Sequence, residues 1–268
     1  MHMKVTVAVL LTIGLGSSQQ SAQQPAQKPG SLRFEVASVK PSPAGARGGM
    51  ARPEPGGRRY RGTNLPLKAY ISSAYRIKAD QVVGAPGWVD TDRFDIEAQA
   101  EKVSSLEEFH LMTRTLLAER FHLRFHFETK EMPLYALVVD TSGTKLTPHD
   151  AANSGEPWID QGSDMPFHAR WTATSASMEL LAFRLASVMD RPVIDQTGLK
   201  GDYNFTLAYT MDLPPNISPD AKINGEPIDT SGPSIFQAVR QQLGLRLDAR
   251  KGPVQVMAID HVEKPSEN

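Results

Sequence analysis

The chain has 268 residues, 40% of them hydrophobic and 22% charged, so it can bury the core of one or two globular domains and is not a wholly disordered polymer. Its 29 basic residues stand against 30 acidic ones, a formal charge of -1, which argues against the strongly basic face of a general nucleic-acid binder. No cysteine is present, which excludes disulfides, thiol nucleophiles, iron–sulfur or zinc-thiolate centres and lipid attachment through a thiol.

At the amino end Lys4 precedes an apolar run from Val5 to Leu15, followed by small and polar residues around Ser18 and Ala22. This is the pattern of an export signal over residues 1–22, and the run is shorter than the roughly 20 residues a membrane span needs. The protein is therefore expected to be exported, periplasmic or secreted, with no membrane span once the signal is removed. Residues 23–32, rich in Gln, Ala and Pro, read as a flexible tether.

The segment "FEVASVK" then predicts a strand, expected to pair with the last strand of the chain. Residues 41–62 form a Gly/Pro-rich stretch carrying Arg47, Arg52, Arg58, Arg59 and Arg61 against the single acid Glu54. Guanidinium forks on such a loop can clamp phosphate or carboxylate groups, so Arg58, Arg59 and Arg61 are the candidate binding residues. A solvated loop is the plainer alternative. Asn64 is placed to cap a helix carrying Leu67, Tyr70, Ile71 and Ala74 at helical spacing, and "QVVG" and "RFDIEAQA" follow as strands. Ser104 and Glu107 match a capping box before a helix with Leu106, Phe109, Thr113, Leu116 and Leu117 on one side.

In "FHLRFHFETKE", Phe121, Leu123, Phe125 and Phe127 alternate with His122, Arg124, His126 and Glu128, the period of a half-buried strand. The histidines share a face because all the polar residues do. About 13 Å apart at strand spacing, with a cation between them, they do not form a metal site. Residues 144–165 read as a linker by composition, and Trp158 within it is either a docking anchor onto the core or a partner contact.

After the linker the first half returns. Arg59 matches Arg170, Tyr60 matches Trp171, Leu67 matches Met178, and Val82-Val83 match Val193-Ile194; "RFDIEAQA" falls on "DYNFTLAY" and "PLYALVVD" on "PVQVMAID". A proline-rich insertion from Met211 to Pro233 interrupts the match in a loop, and Pro233 suits the first turn of a helix carrying Ile235, Phe236, Val239 and Leu243. The expected fold is α+β, two similar lobes from an internal repeat at 33–143 and 166–268, each a small mixed sheet with helices packed on it.

The segments "FEVASVKPSP", "APGWVDTDRFDIEA", "RPVIDQTGLKGDYNFTL" and above all the closing "IDHVEKPSEN" resemble the soil-associated protein family, exported bacterial proteins containing a domain of unknown function. The resemblance runs from Phe34 to Asn268 and implies an extracytoplasmic recognition role; the family has no established catalytic residues to carry over. The helix-strand-strand rhythm also resembles the small amino-terminal modules of secretins and TonB-dependent receptors, which bind partner proteins.

No catalytic residue, metal ligand or cofactor is assigned, since no nucleophile elbow, phosphate loop or zinc-binding helix motif occurs. The expected function is a non-enzymatic binding or interaction module whose sheet edges or inter-lobe groove take an envelope protein, peptide or polymer. The rival is a hydrolase-type enzyme using the polar cluster Asp260, His261 and Glu263 near the last strand.

Overall fold

Apolar alternation and helical spacing become, in chain order, strands β1 (Val36–Pro41), β2 (Met50–Pro53) and β3 (Arg59–Pro66), helix α1 (Leu67–Tyr75), β4 (Val82–Val83), the short α2 (Trp88–Thr91), β5 (Arg93–Gln99), α3 (Leu106–Arg120) and the long β6 (Arg124–Val139). The second part runs β7 (Thr147–Pro148), β8 (Trp158–Gly162), β9 (His168–Ala176), α4 (Met178–Val188), β10 (Val193–Asp195), β11 (Tyr203–Thr210), the small pair β12 (Lys222–Ile223) and β13 (Glu226–Pro227), α5 (Ile235–Ala238) continuing as one π-helical turn to Leu243, and β14 (Leu245–His261). This computed structural model describes residues 32–150, 157–163, 165–214, 217–218, 221–223 and 225–266. The expected signal peptide, and the expected tether apart from Leu32, lie outside the described residues. Among the described residues, no helix is long and apolar enough to cross a membrane.

The architecture is mixed α+β: five helices and three four-stranded sheets with one small ribbon among the described residues. One sheet has the order β1-β5-β3-β2, another β7-β11-β9-β8, and the sheet between them β10-β6-β14-β4. The central sheet is built on β6 and β14, of 16 and 17 residues, paired antiparallel from Leu245 opposite Val139 to His261 opposite Arg124. Pro133 and Pro253 interrupt these strands where neither β10, opposite Tyr135 to Leu137, nor β4, opposite Met257 and Ala258, lies alongside. Their missing N–H groups therefore cost no ladder bond.

Each long strand serves two cores. The start of β6 packs Phe125 and Phe127 with Phe94, Phe109, Leu117 and Phe121, while its end packs Leu137 and Val139 with Trp171, Leu181 and Leu185. β14 runs the other way, with Leu245 and Leu247 in the second cluster and Met257 and Ile259 in the first. Both clusters are thus completed by a strand from the other half of the chain.

Local chemistry corrects several expectations. Asn64 does not cap α1, whose N-cap is Pro66 and has no side-chain cap bond. Its backbone is left-handed at φ 49, a conformation Asn tolerates, and its Nδ2 donates to the carbonyls of Ala46 and Gly48, pinning the Gly-rich loop onto β3. The capping box lies one residue on from the expected pair: Ser105 Oγ accepts from Glu108 N at 3.2 Å and Glu108 Oε2 from Ser105 N at 2.8 Å. Ser234 and Gln237 form the box before α5.

β1 pairs with β5, not with the last strand, because the outer edge of β14 is taken by β4 there. In "FHLRFHFETKE" the pleat begins only at Arg124. Phe121 ends α3 and His122 turns the chain at φ 49, yet Phe121 and Leu123 are buried and His122, Arg124 and His126 exposed, as the alternation requires. Within the expected linker, β7 and β8 are strands on opposite edges of one sheet.

Candidate functional site

Of the sheet-edge strands, β2 pairs only with β3 and β8 only with β9 among the described residues. An edge strand offers a row of unpaired N–H and C=O groups. Both edges line one concavity of 310 Å³, β2 through Ala51, Arg52 and Pro53, β8 through Trp158, Ile159, Asp160 and Gln161. The volume falls at the lower end of the range for ligand clefts.

The floor comes from helices of both halves. α3 contributes Leu106, Phe109 and His110, α4 contributes Leu180, Phe183 and Arg184, and Arg76 follows the end of α1. Arg76 caps that helix in the left-handed conformation, φ 53, and its Nη2 lies 2.7 Å from Glu107 Oε2. The Arg184 guanidinium lies over the Trp171 ring, 5.5 Å from its centroid, and Nη2 reaches Gln161 Oε1 at 3.4 Å. Trp158, 47% exposed, stands at the rim.

Two guanidinium nitrogens, Arg76 Nε and Arg184 Nε, and one imidazole nitrogen, His110 Nδ1, are buried here without a hydrogen-bond partner among the described residues. Buried polar groups are satisfied in the great majority of cases, so these three nitrogens call for partners from outside the protein, water or a ligand. Burial, then the Arg76 guanidinium, pushes the His110 imidazole down to about 4, so it is neutral near pH 7. Burial also lowers Arg184, offset in part by Tyr209 and Asp160.

The arginines singled out in the sequence lie elsewhere. Arg59 and Arg61 point outward from β3 and line a wide, open depression of 500 Å³ with Glu54 and Glu97. Arg61 lies 3.8 Å from Glu54 and 3.6 Å from Glu97, and Arg58 donates to the Glu101 carbonyl at 2.7 Å.

The polar cluster near the last strand divides into two surface groups, with Asp260 apart from His261 and Glu263. Glu263 lies 2.7 Å from His261 and 3.8 Å from His122, and His126 Nδ1 lies 2.8 Å from Asp260. The open depression beside it is lined by Ala118, His122, Leu123, Arg124, His261 and Glu263, with no hydroxyl or amine nucleophile. Among the described residues no group of three or more His, Asp or Glu is placed to hold a metal.

Sequence reasoning passed over Arg76, His110 and Arg184. Arg184 did carry a signal: it is the single cation in the otherwise apolar helical run "LLAFRLA". No curated protein and no solved structure matches the chain. Residues 68–262, well over half of the chain and spanning α1 to the end of β14, match the family described as protein of unknown function (DUF3738), and the chain belongs to that family.

Proposed function

We propose that the protein is a non-enzymatic binding module whose groove between β2 and β8 takes an extended segment of a peptide or envelope polymer. The observation that carries this reading is a pair of unpaired strand edges bounding one apolar-floored cleft. Strand addition to such an edge gives affinity through main-chain hydrogen bonds, and the cleft selects side chains. The hydrolase alternative has imidazole–carboxylate pairs in its favour, but they lie on an open surface, and the depression beside His261 and Glu263 is lined by no nucleophilic side chain.

Action outside the cytoplasm belongs to the same proposal, supported by Lys4 and the apolar run after it. Duplication of an ancestral unit is supported by the like order of two four-stranded sheets, in which β1, β5, β3 and β2 correspond to β7, β11, β9 and β8.

Hydrogen exchange on the full chain, with and without native envelope extract, tests the groove. Amide protection confined to Met50–Pro53 and Trp158–Gly162 is expected. Capture with protection elsewhere would remove the groove from the reading. A variant with Arg58, Arg59 and Arg61 replaced by Gln should be protected to the same degree; loss of protection there would move the binding surface to the arginine-bearing strand.

A further inference from the structure

The charges around the groove are lopsided. Arg52, Arg76 and Arg184 line it against Asp160 alone, and among the described residues only Arg76 has a carboxylate within ion-pair distance, Glu107, bound through one end of its guanidinium. Arg76 Nε and Arg184 Nε remain buried and without a hydrogen-bond partner among the described residues, as does His110 Nδ1. Arg has no acceptor atoms, so the two guanidinium nitrogens can be satisfied only by an acceptor, and a carboxylate fits the fork of a guanidinium best, while the imidazole nitrogen donates or accepts according to its tautomer. Stacking on Trp171 and pairing with Glu107 hold the two guanidinium groups in place before anything binds, which lowers the ordering cost of recognition.

The walls point to a backbone as well as a charge. An extended chain beside β2 or β8 sends alternate side chains to opposite faces, with about 6.6 Å between those on one face. Residues directed at the floor would meet Leu106, Phe109, Leu180 and Phe183 interleaved with the two arginines. A segment that mixes acidic and apolar side chains fits both halves of this lining.

We infer, resting on the groove reading above, that the occupant is an acidic extended peptide, its main chain paired to a free strand edge and its carboxylates received by Arg76 and Arg184. The experiment is fluorescence anisotropy on the full chain with a labelled octapeptide alternating glutamate and valine, beside its glutamine–valine counterpart, in moderate salt. The acidic peptide should bind at least about tenfold more tightly, the size of one charge-assisted hydrogen bond. In the double variant Arg76→Gln/Arg184→Gln the two peptides should bind alike, with unfolding midpoints measured alongside. The comparison of peptides on the unaltered protein needs no variant, so a misfolded double variant leaves the test intact. Equal binding of both peptides overturns the acidic preference while leaving an extended-peptide groove. Failure of both, with tight binding of polygalacturonate, overturns the peptide and points to an acidic polymer. Failure of all three probes overturns the groove reading itself.

Discussion

His110 makes the groove's chemistry measurable without any ligand. The imidazole sits on α3 among Arg76, Arg114 and Glu107, with Arg184 and Asp160 across the cleft, and burial outweighs the attraction of Glu107. Its ordinary value of 6.5 falls to about 4 in the folded protein. The unfolded chain therefore takes up this proton first, and folding loses stability as pH falls from about 6.5 towards about 4, below which both states carry the proton. The gap of about 2.5 pH units corresponds to roughly 3 kcal/mol over that window, an upper figure because the side chain is not fully enclosed. Urea denaturation of the wild type and of His110→Gln at pH 7.5, 6.5, 5.5 and 4.5 isolates the effect, since other titrating groups are common to both. The wild type should lose about 2–3 kcal/mol more than the variant between the extremes. Parallel pH profiles would refute a buried neutral imidazole at the floor of the groove. An acidic ligand held there would favour the proton, so its addition should recover part of the loss at pH 5.

Phe121→Ala removes a fully buried ring that meets Phe94 edge-on at 5.2 Å, and about 3–5 kcal/mol of stability should go with it in urea unfolding; a loss below about 1 kcal/mol would take Phe121 out of the core. His126→Ala, by contrast, removes an exposed partner of Asp260 and should leave the urea midpoint unchanged. Gly244 turns the chain at φ 66, and a β-carbon there would run into the Gly143 carbonyl, so Gly244→Ala should lower stability by about 1–3 kcal/mol in thermal unfolding. An unchanged midpoint there would mean that the 140–145 loop yields freely.

Much of the fold was legible because its signals are local. "RFDIEAQA" alternates and becomes β5 with Phe94, Ile96 and Ala98 buried; Leu67, Tyr70, Ile71 and Ala74 at helical spacing become the buried side of α1. Boundaries slipped where a side chain had a better use elsewhere. Asn64 satisfies two loop carbonyls instead of a helix end, and the box at Ser105 displaced the one expected at Ser104. The groove was illegible for a different reason: Arg76, His110 and Arg184 come from three helices far apart in the chain, and no spacing rule links them. Nor does any sequence pattern say that Trp158, taken for linker, stands in a strand at the rim of that cleft.

The exchange of β6 and β14 between the two cores also bears on assembly. Neither half synthesised by itself could close its own interior, and each would display a bare ribbon edge of 16 or 17 residues, an invitation to pair with any neighbour and precipitate. A backbone nick between β7 and β8, on the other hand, should leave both fragments interlocked, and two separately unfolded fragments mixed in equal amounts should rebuild the whole. The molecule is in this sense a clasp, each part lending a long strand that completes the other's interior.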